Sequence, residues 1–267
     1  MKETFFTKKG LYYRTNDFRE DRETLVFIHG LSSSSSAWNL HERYFEDKYN
    51  ILLVDLRGHG KSIKYKKYED YAIKNFSLDI YELLGELNIK DFIFISHSFS
   101  TFISIEFMIL NQTMIKKAIF LSPNHKVENN LKTNIVKILL KLTPILNIFP
   151  FSKKPGEHVD YFKYINTGDW NIQRLLKDTL NTGIRVYLYC IKQAYTFDRD
   201  EFLKNINIPV LIIHGKNDSI FPIKYAYKLH EEIKNSEIAI IDNADHTLVL
   251  NNFSKTSSLM DKFIEKR

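Results

Sequence analysis

The chain has 267 residues, 44% hydrophobic and 26% charged with nine Gly and six Pro, a composition that excludes disorder as its main state. Its formal net charge of +6 permits attraction to anionic partners, but the basic residues are spread along the chain, and the densest cluster, residues 61–67, lacks a nucleic-acid module, so no nucleic-acid partner is expected. One cysteine, Cys190, excludes an internal disulfide framework and any multi-cysteine metal site, which points to a reducing, cytoplasmic setting.

Residues 1–14 contain no apolar run of signal-peptide length and already carry Lys8, Lys9 and Arg14, so the reading is a chain that is not secreted. Segments 5–7 and 11–14, separated by Lys8-Lys9-Gly10, predict a leading antiparallel hairpin. Strands follow at 25–29, 51–55, 92–96 and 118–122, then at 210–214 and 238–241. Most are continuous apolar runs without polar alternation, as strands covered on both faces require. Helical spacing at 37–48, 71–87, 102–111, 225–233 and 252–265 supplies that cover, so the fold class is α/β with a mostly parallel central sheet. Between 124 and 205 no apolar strand stands out. There 131–146 and 173–195 have helix-like spacing on either side of a Pro, Gly and Lys stretch. This divides the chain into core 1–123, a helical lid 124–205 and core 206–267. The most apolar window, 135–151, is interrupted by Lys137, Lys141 and two prolines, short of the roughly 18 apolar residues a spanning helix needs.

The strand at 92–96 ends in Ser96-His97-Ser98-Phe99-Ser100 and leads directly into a helix. Such serines can simply cap a helix. A serine between strand and helix can also sit on a sharp turn, its hydroxyl raised above the sheet edge with helix N–H groups facing it. Three other segments end strands where reacting groups would gather: His29-Gly30-Leu31, whose Leu31 N–H would face the same crevice, the stretch ending in Asp218, and Asn243-Ala244-Asp245-His246. Asp245 is a rival to Asp218, but its adjacency to His246 makes a side-chain bridge awkward. No trio of His, Asp and Glu has metal-ligand spacing, and no metal is expected.

Together His29-Gly30, the Asp55 to Ser62 stretch, Ser98, His214-Gly215-x-x-Asp218 and Asn243 to His246 resemble the α/β-hydrolase fold superfamily, in its lid-bearing esterase and lipase-like serine hydrolase branch. The resemblance covers nearly the whole length and keeps the order Ser, Asp, His. It implies that Ser98 is the nucleophile, His246 its base and Asp218 the group that orients the imidazole, with Leu31 and Phe99 N–H groups forming an oxyanion hole. It departs at Ser96 and Ser100, where the family usually has glycine, so the elbow must pack around two extra side chains.

Serine at 98, where dehalogenases and epoxide hydrolases carry aspartate, favours acyl chemistry without a cofactor. The expected partner is a small-molecule ester or acyl lipid. Leu139, Leu142, Leu146 and Phe149 are candidates to line an acyl pocket, although the same residues suit ordinary packing against the core. With its interspersed lysines the segment also has the composition to rest weakly on an anionic membrane surface. Carbon–carbon bond hydrolysis, acyl transfer and non-catalytic ligand binding are the alternatives. His97 is expected to turn away from the crevice and to be structural.

Overall fold

In a computed structural model that describes residues 1–127 and 146–266, the apolar runs form one eight-stranded sheet in the order β1-β2-β4-β3-β5-β6-β7-β8. The strands are β1 Lys2–Phe6, β2 Leu11–Thr15, β3 Thr24–Ile28, β4 Asn50–Val54, β5 Phe92–His97, β6 Ile115–Leu121, β7 Val210–Gly215 and β8 Ser236–Ile241. The leading hairpin β1–β2 is antiparallel and joins β4 antiparallel, while β3 to β8 pair in parallel. Parallel pairing brings the carboxyl ends of β3, β5, β6, β7 and β8 to one edge, and the site described below is assembled there.

Successive residues of each strand point to opposite faces, and both faces are apolar. Val26, Ile28, Phe94, Phe120 and Ile212 pack under helices α2 Ile73–Glu86 and α3 Ser100–Asn111, together with Phe76, Ile80, Ile103 and Phe107. Leu25, Phe27, Ile93, Ile95, Ile119 and Ile213 face Trp38, Phe45, Met260 and Phe263 on the other side. There the cover comes from α1 Asn39–Phe45 and, near the C-terminus, from a long helix at Phe253–Glu265. Each fully buried Val, Leu, Ile or Phe contributes about 1.5–3 kcal/mol, so this double-sided burial is the main stabilising term.

Beyond β6 come α4 Ile172–Thr182, α5 Ile184–Thr196 and α6 Asp200–Leu203, then α7 Lys224–Glu232, α8 Leu248–Asn251 and α9 Phe253–Glu265. The continuous helical spacing read over 173–195 is in fact two helices, because Gly183 adopts φ +85° and turns the chain between α4 and α5. An L side chain is disfavoured at that angle. Helix α4 carries its polar side inward: Arg174, Asp178 and Thr182 are buried, whereas Ile172, Leu176 and Leu180 are exposed. Most of the predicted helix 131–146, with Leu139 and Leu142, lies outside the described residues. Among the described residues no helix is long and apolar enough to cross a membrane.

The segment before α4 is fastened to the core at the loop after β4. Asp55, fully buried, accepts the Ser35 N–H at 2.7 Å, the Lys61 N–H at 2.8 Å and a bond from His158 Nε2 at 2.8 Å. Burial alone would raise its pKa, but the hydrogen bond and charge of His158, with His29 and Ser35, hold the carboxyl down at about 2. Beside it, Arg57 grips Asp79 with two 2.6 Å bonds and fixes the turn that follows.

A carboxyl held below its unfolded value stabilises the fold above about pH 4, and that contribution fades as pH falls through the folded value. His158→Ala should therefore cost about 1–3 kcal/mol at neutral pH, because it removes one of the two hydrogen bonds to the buried Asp55 Oδ2 and leaves it only the Lys61 N–H. The gap to wild type should narrow as the pH of a thermal melt is lowered from about 4 toward the Asp55 value of about 2. A gap independent of pH would contradict the latch.

Candidate active site

β5 ends at His97, and the next residue, Ser98, takes φ +58° before α3 begins at Ser100. A non-glycine residue in this left-handed region carries local strain of about 1–3 kcal/mol, and it persists here because the Ser98 N–H is tied to the Leu121 carbonyl of β6 at 3.0 Å. The turn lifts the Ser98 hydroxyl off the sheet edge.

The two residues flanking this elbow behave differently. Ser100, fully buried, accepts the His97 N–H at 2.8 Å and reaches the carbonyls of Ile28 and His97, each at 2.9 Å, so its hydroxyl stitches β5, β3 and α3 together. The Ser96 hydroxyl, equally buried, finds no hydrogen-bond partner among the described residues. One extra side chain has been given a structural use, and the other is accommodated without one.

His246 follows β8 and lies between Ser98 and Asp218. Its Nε2 stands 2.8 Å from Ser98 Oγ and its Nδ1 2.8 Å from Asp218 Oδ2. A carboxylate only accepts, so the proton sits on Nδ1, and Nε2 is left to accept the seryl O–H. The Asp218 side chain is buried, and its other oxygen takes the N–H groups of Ile220 at 2.9 Å and Phe221 at 2.7 Å. Burial opposes ionisation of Asp218, but the His246 bond and charge, the Phe221 N–H and His214 together keep its carboxyl below the usual range. Asp245 is engaged elsewhere, accepting from Thr247 N–H at 2.9 Å and Asn251 Nδ2 at 2.8 Å, and so is not a partner of the imidazole.

His97 does not turn away as expected. Its ring lies 5.2 Å from that of His246, and its Nε2 donates to the His246 carbonyl at 2.9 Å. Burial, aided by the neighbouring His246, pushes its pKa down to about 3, so it serves as a neutral donor holding the His246 backbone. The same burial keeps His29 neutral: its Nε2 accepts the Leu56 N–H at 3.0 Å and its Nδ1 reaches the Gly30 carbonyl at 2.7 Å.

Leu31 and Phe99 line the same cavity as Ser98, and their N–H groups make no backbone hydrogen bond among the described residues. Gly30 makes this approach possible, since a Cβ there would stand 3.1 Å from the His97 ring and 3.4 Å from the Ser98 Cβ. The cavity above them measures about 570 Å³. Its apolar lining includes Phe102, Tyr187, Ile191, Phe221 and Val249. Its polar lining includes Tyr161, which donates to Asp178 at 2.8 Å and pairs with Ser33 at 2.9 Å. Burial pushes the Asp178 carboxyl up to about 7, in spite of the Tyr161 bond and the nearby Arg174 charge. Leu146 and Phe149 are not among the described lining residues. They pack into the cluster that covers the α2 and α3 side of the sheet, and apolar lining comes instead from residues of α5 and the 220–222 turn. Sequence reading missed Tyr161, Asp169, Arg174 and Asp178; only Arg174 and Asp178 carried a signal, their i, i+4, i+8 spacing with Thr182. Among the described residues no group of three or more His, Cys, Asp or Glu is placed to hold a metal.

Because Ser100 bonds across three elements and the Ser96 hydroxyl has no partner, their replacements should diverge. Ser100→Ala should lower stability by about 1–2 kcal/mol in chemical denaturation, whereas Ser96→Ala should be neutral or stabilising. Equal losses from both would refute the distinction.

With this geometry established, the comparisons with known proteins are specific. The chain is 22% identical over 245 residues to karrikin insensitive 2 receptor B of Petunia hybrida, covering 90% of this chain and 89% of that one. It is 23% identical over 222 residues to 3-oxoadipate enol-lactonase 2 of Acinetobacter baylyi, covering 83% and 81%. Among solved structures it matches MGS-M2, an alpha/beta hydrolase enzyme from a Medee basin deep-sea metagenome library. That match has a TM-score of 0.79 and 20% identity over 100% of this chain and 98% of that one. The sequence model for the alpha/beta hydrolase fold matches residues 23–253, and the chain belongs to that family.

Proposed function

We propose that the protein is a serine hydrolase acting on carboxylic esters with apolar acyl groups. The observation that carries this reading is the continuous hydrogen-bond line from Ser98 Oγ through His246 to Asp218, with both links at 2.8 Å. Ser98 attacks the ester carbonyl while His246 Nε2 takes its proton, and the tetrahedral oxyanion is received by the Leu31 and Phe99 N–H groups. His246 then passes the proton to the departing alcohol, which leaves an acyl group on Ser98. Water, deprotonated by the same imidazole, releases the acid and restores the hydroxyl. Asp218 keeps the imidazole in the Nδ1–H tautomer and stabilises the imidazolium formed at each transfer. No step calls for a cofactor.

In this reading 124–205 is a lid insertion, and its described residues Tyr161, Asp178, Tyr187 and Ile191 line the cavity. The acyl chain lies against Phe102, Tyr187 and Ile191, and the Tyr161–Asp178 pair faces the more polar end of the substrate. A relative named as an enol-lactonase supports ester-type substrates, since a lactone is a cyclic ester. The receptor relative supports a second reading, in which the cavity holds a small ligand and the serine turns over little.

A panel of p-nitrophenyl esters of graded acyl length tests both readings. Wild type should release nitrophenol through many turnovers, with a length optimum. Ser98→Ala and His246→Ala should each lose turnover on the order of a millionfold, with a smaller loss for Asp218→Asn. A Ser98→Ala rate near that of wild type would overturn the assignment, and one equivalent of product followed by arrest would favour the receptor-like reading.

A further inference from the structure

Two loops must keep a fixed separation for the His246–Asp218 bond to form: the turn after β7 that carries Asp218, and the turn after β8 that carries His246. They are joined by a residue from neither. Asp169, buried in the segment before α4, has both carboxylate oxygens occupied by these loops. Oδ1 accepts the backbone N–H of His246 at 2.8 Å and the Thr247 hydroxyl at 3.2 Å. Oδ2 accepts the backbone N–H of Ser219 at 3.1 Å and its hydroxyl at 2.7 Å. The neighbours of Asp169 complete the clasp from the other side. Trp170 Nε1 donates to the Ser219 hydroxyl at 2.8 Å, and Arg174 Nη1 donates to the Thr247 hydroxyl at 3.2 Å. Arg174 also bonds the Asp169 carbonyl at 2.6 Å, which fixes the segment that presents the carboxylate.

We infer that Asp169 is a positioning residue that clamps the Asp218 and His246 loops together, so that the segment between β6 and β7 sets the geometry of the Ser98–His246–Asp218 line as well as lining the cavity. The bonded atoms support this. One is the backbone nitrogen of the imidazole-bearing residue itself, one is the hydroxyl of the residue after it, and the other two belong to the residue next to Asp218. Four donors converge on one carboxylate that takes no part in the proton path. Without it the buried His246 N–H and Thr247 hydroxyl lose their acceptor, and outside the His246–Asp218 bond the two loops are left with Asn217 N–H on the Ala244 carbonyl at 2.8 Å and the Lys216–Asp242 ion pair at 3.0 Å. A shift of about 1 Å between reacting groups can cost a hundredfold in rate, so loss of the clamp should be read mainly in turnover. The effect on catalysis rests on the reading that His246 carries the seryl proton, whereas the effect on loop geometry does not.

The test uses the full chain as wild type, Asp169→Ala and Asp169→Asn, with proton NMR of the hydrogen-bonded His246 Nδ1–H beside steady-state hydrolysis of a p-nitrophenyl ester. In wild type the Nδ1–H should give a resonance far downfield of the amides. Asp169→Ala should lose it to exchange and lose about 10- to 100-fold in kcat with KM little changed. Asp169→Asn keeps an oxygen for the His246 N–H but turns an NH2 toward Ser219, so it should retain a broadened resonance and an intermediate kcat. Wild-type resonance and kcat in both variants would overturn the inference. If the alanine variant does not fold, the isosteric asparagine decides alone, and a wild-type exchange rate there overturns it. If wild type cleaves no ester, the hydrolase reading fails, and the resonance still decides whether Asp169 clamps the loops.

Discussion

Everything at this site depends on one imidazole having two different neighbours. His246 must meet a carboxylate at one nitrogen and a hydroxyl at the other, both at 2.8 Å, although the three residues are carried by three separate strands. The carboxylate decides the tautomer, and the tautomer leaves Nε2 able to accept the Ser98 O–H. Parallel pairing of β5, β6, β7 and β8 makes the meeting possible, because it brings their carboxyl ends to the same edge. The imidazole itself is held from several directions: its carbonyl by His97, its N–H by Asp169 and its ring edge by Phe221, whose centroid lies 5.1 Å away.

The elbow shows how a family position can change its residue and keep its geometry. Strain at Ser98 is contained by a backbone bond to β6 and by the first turn of α3, so the left-handed angle does not depend on flanking glycines. Ser100 replaces the space a glycine would leave with hydrogen bonds to β3 and β5, and Ser96 fills its space at the expense of an unpaired hydroxyl. Close backbone approach is retained where it is needed, at Gly30, which brings Leu31 beside Ser98.

Much of this was legible in the sequence, for physical reasons that also explain what was not. The apolar runs at 92–96 and 210–214 could only be strands covered on both faces, and the residues that follow such strands must share an edge, so Ser98, Asp218 and His246 could be named together. Helix α4 was misleading because apolar spacing tells that a helix has two sides without telling which side is inward. Ile172, Leu176 and Leu180 repeat at helical spacing yet face out, while Arg174 and Asp178 face the cavity. Asp169 gave no signal at all. Its importance lies in hydrogen bonds to backbone atoms 50 and 77 positions away, and no local pattern encodes those. The direction of His97, though not its structural character, was misjudged for a similar reason, since its acceptor is the His246 carbonyl. Leu146 and Phe149 are as apolar as an acyl pocket requires, but the same property sends them into the core cluster.

The most direct test of the central claim is to map where a fluorophosphonate attaches, using peptide mass spectrometry on wild type and His246→Ala. The account predicts a single phosphonyl adduct on the peptide carrying Ser98, formed readily in wild type and suppressed when the imidazole is removed. An adduct on another residue, or equal labelling of Ser98 with and without His246, would show that the aligned hydroxyl and imidazole do not form a working pair.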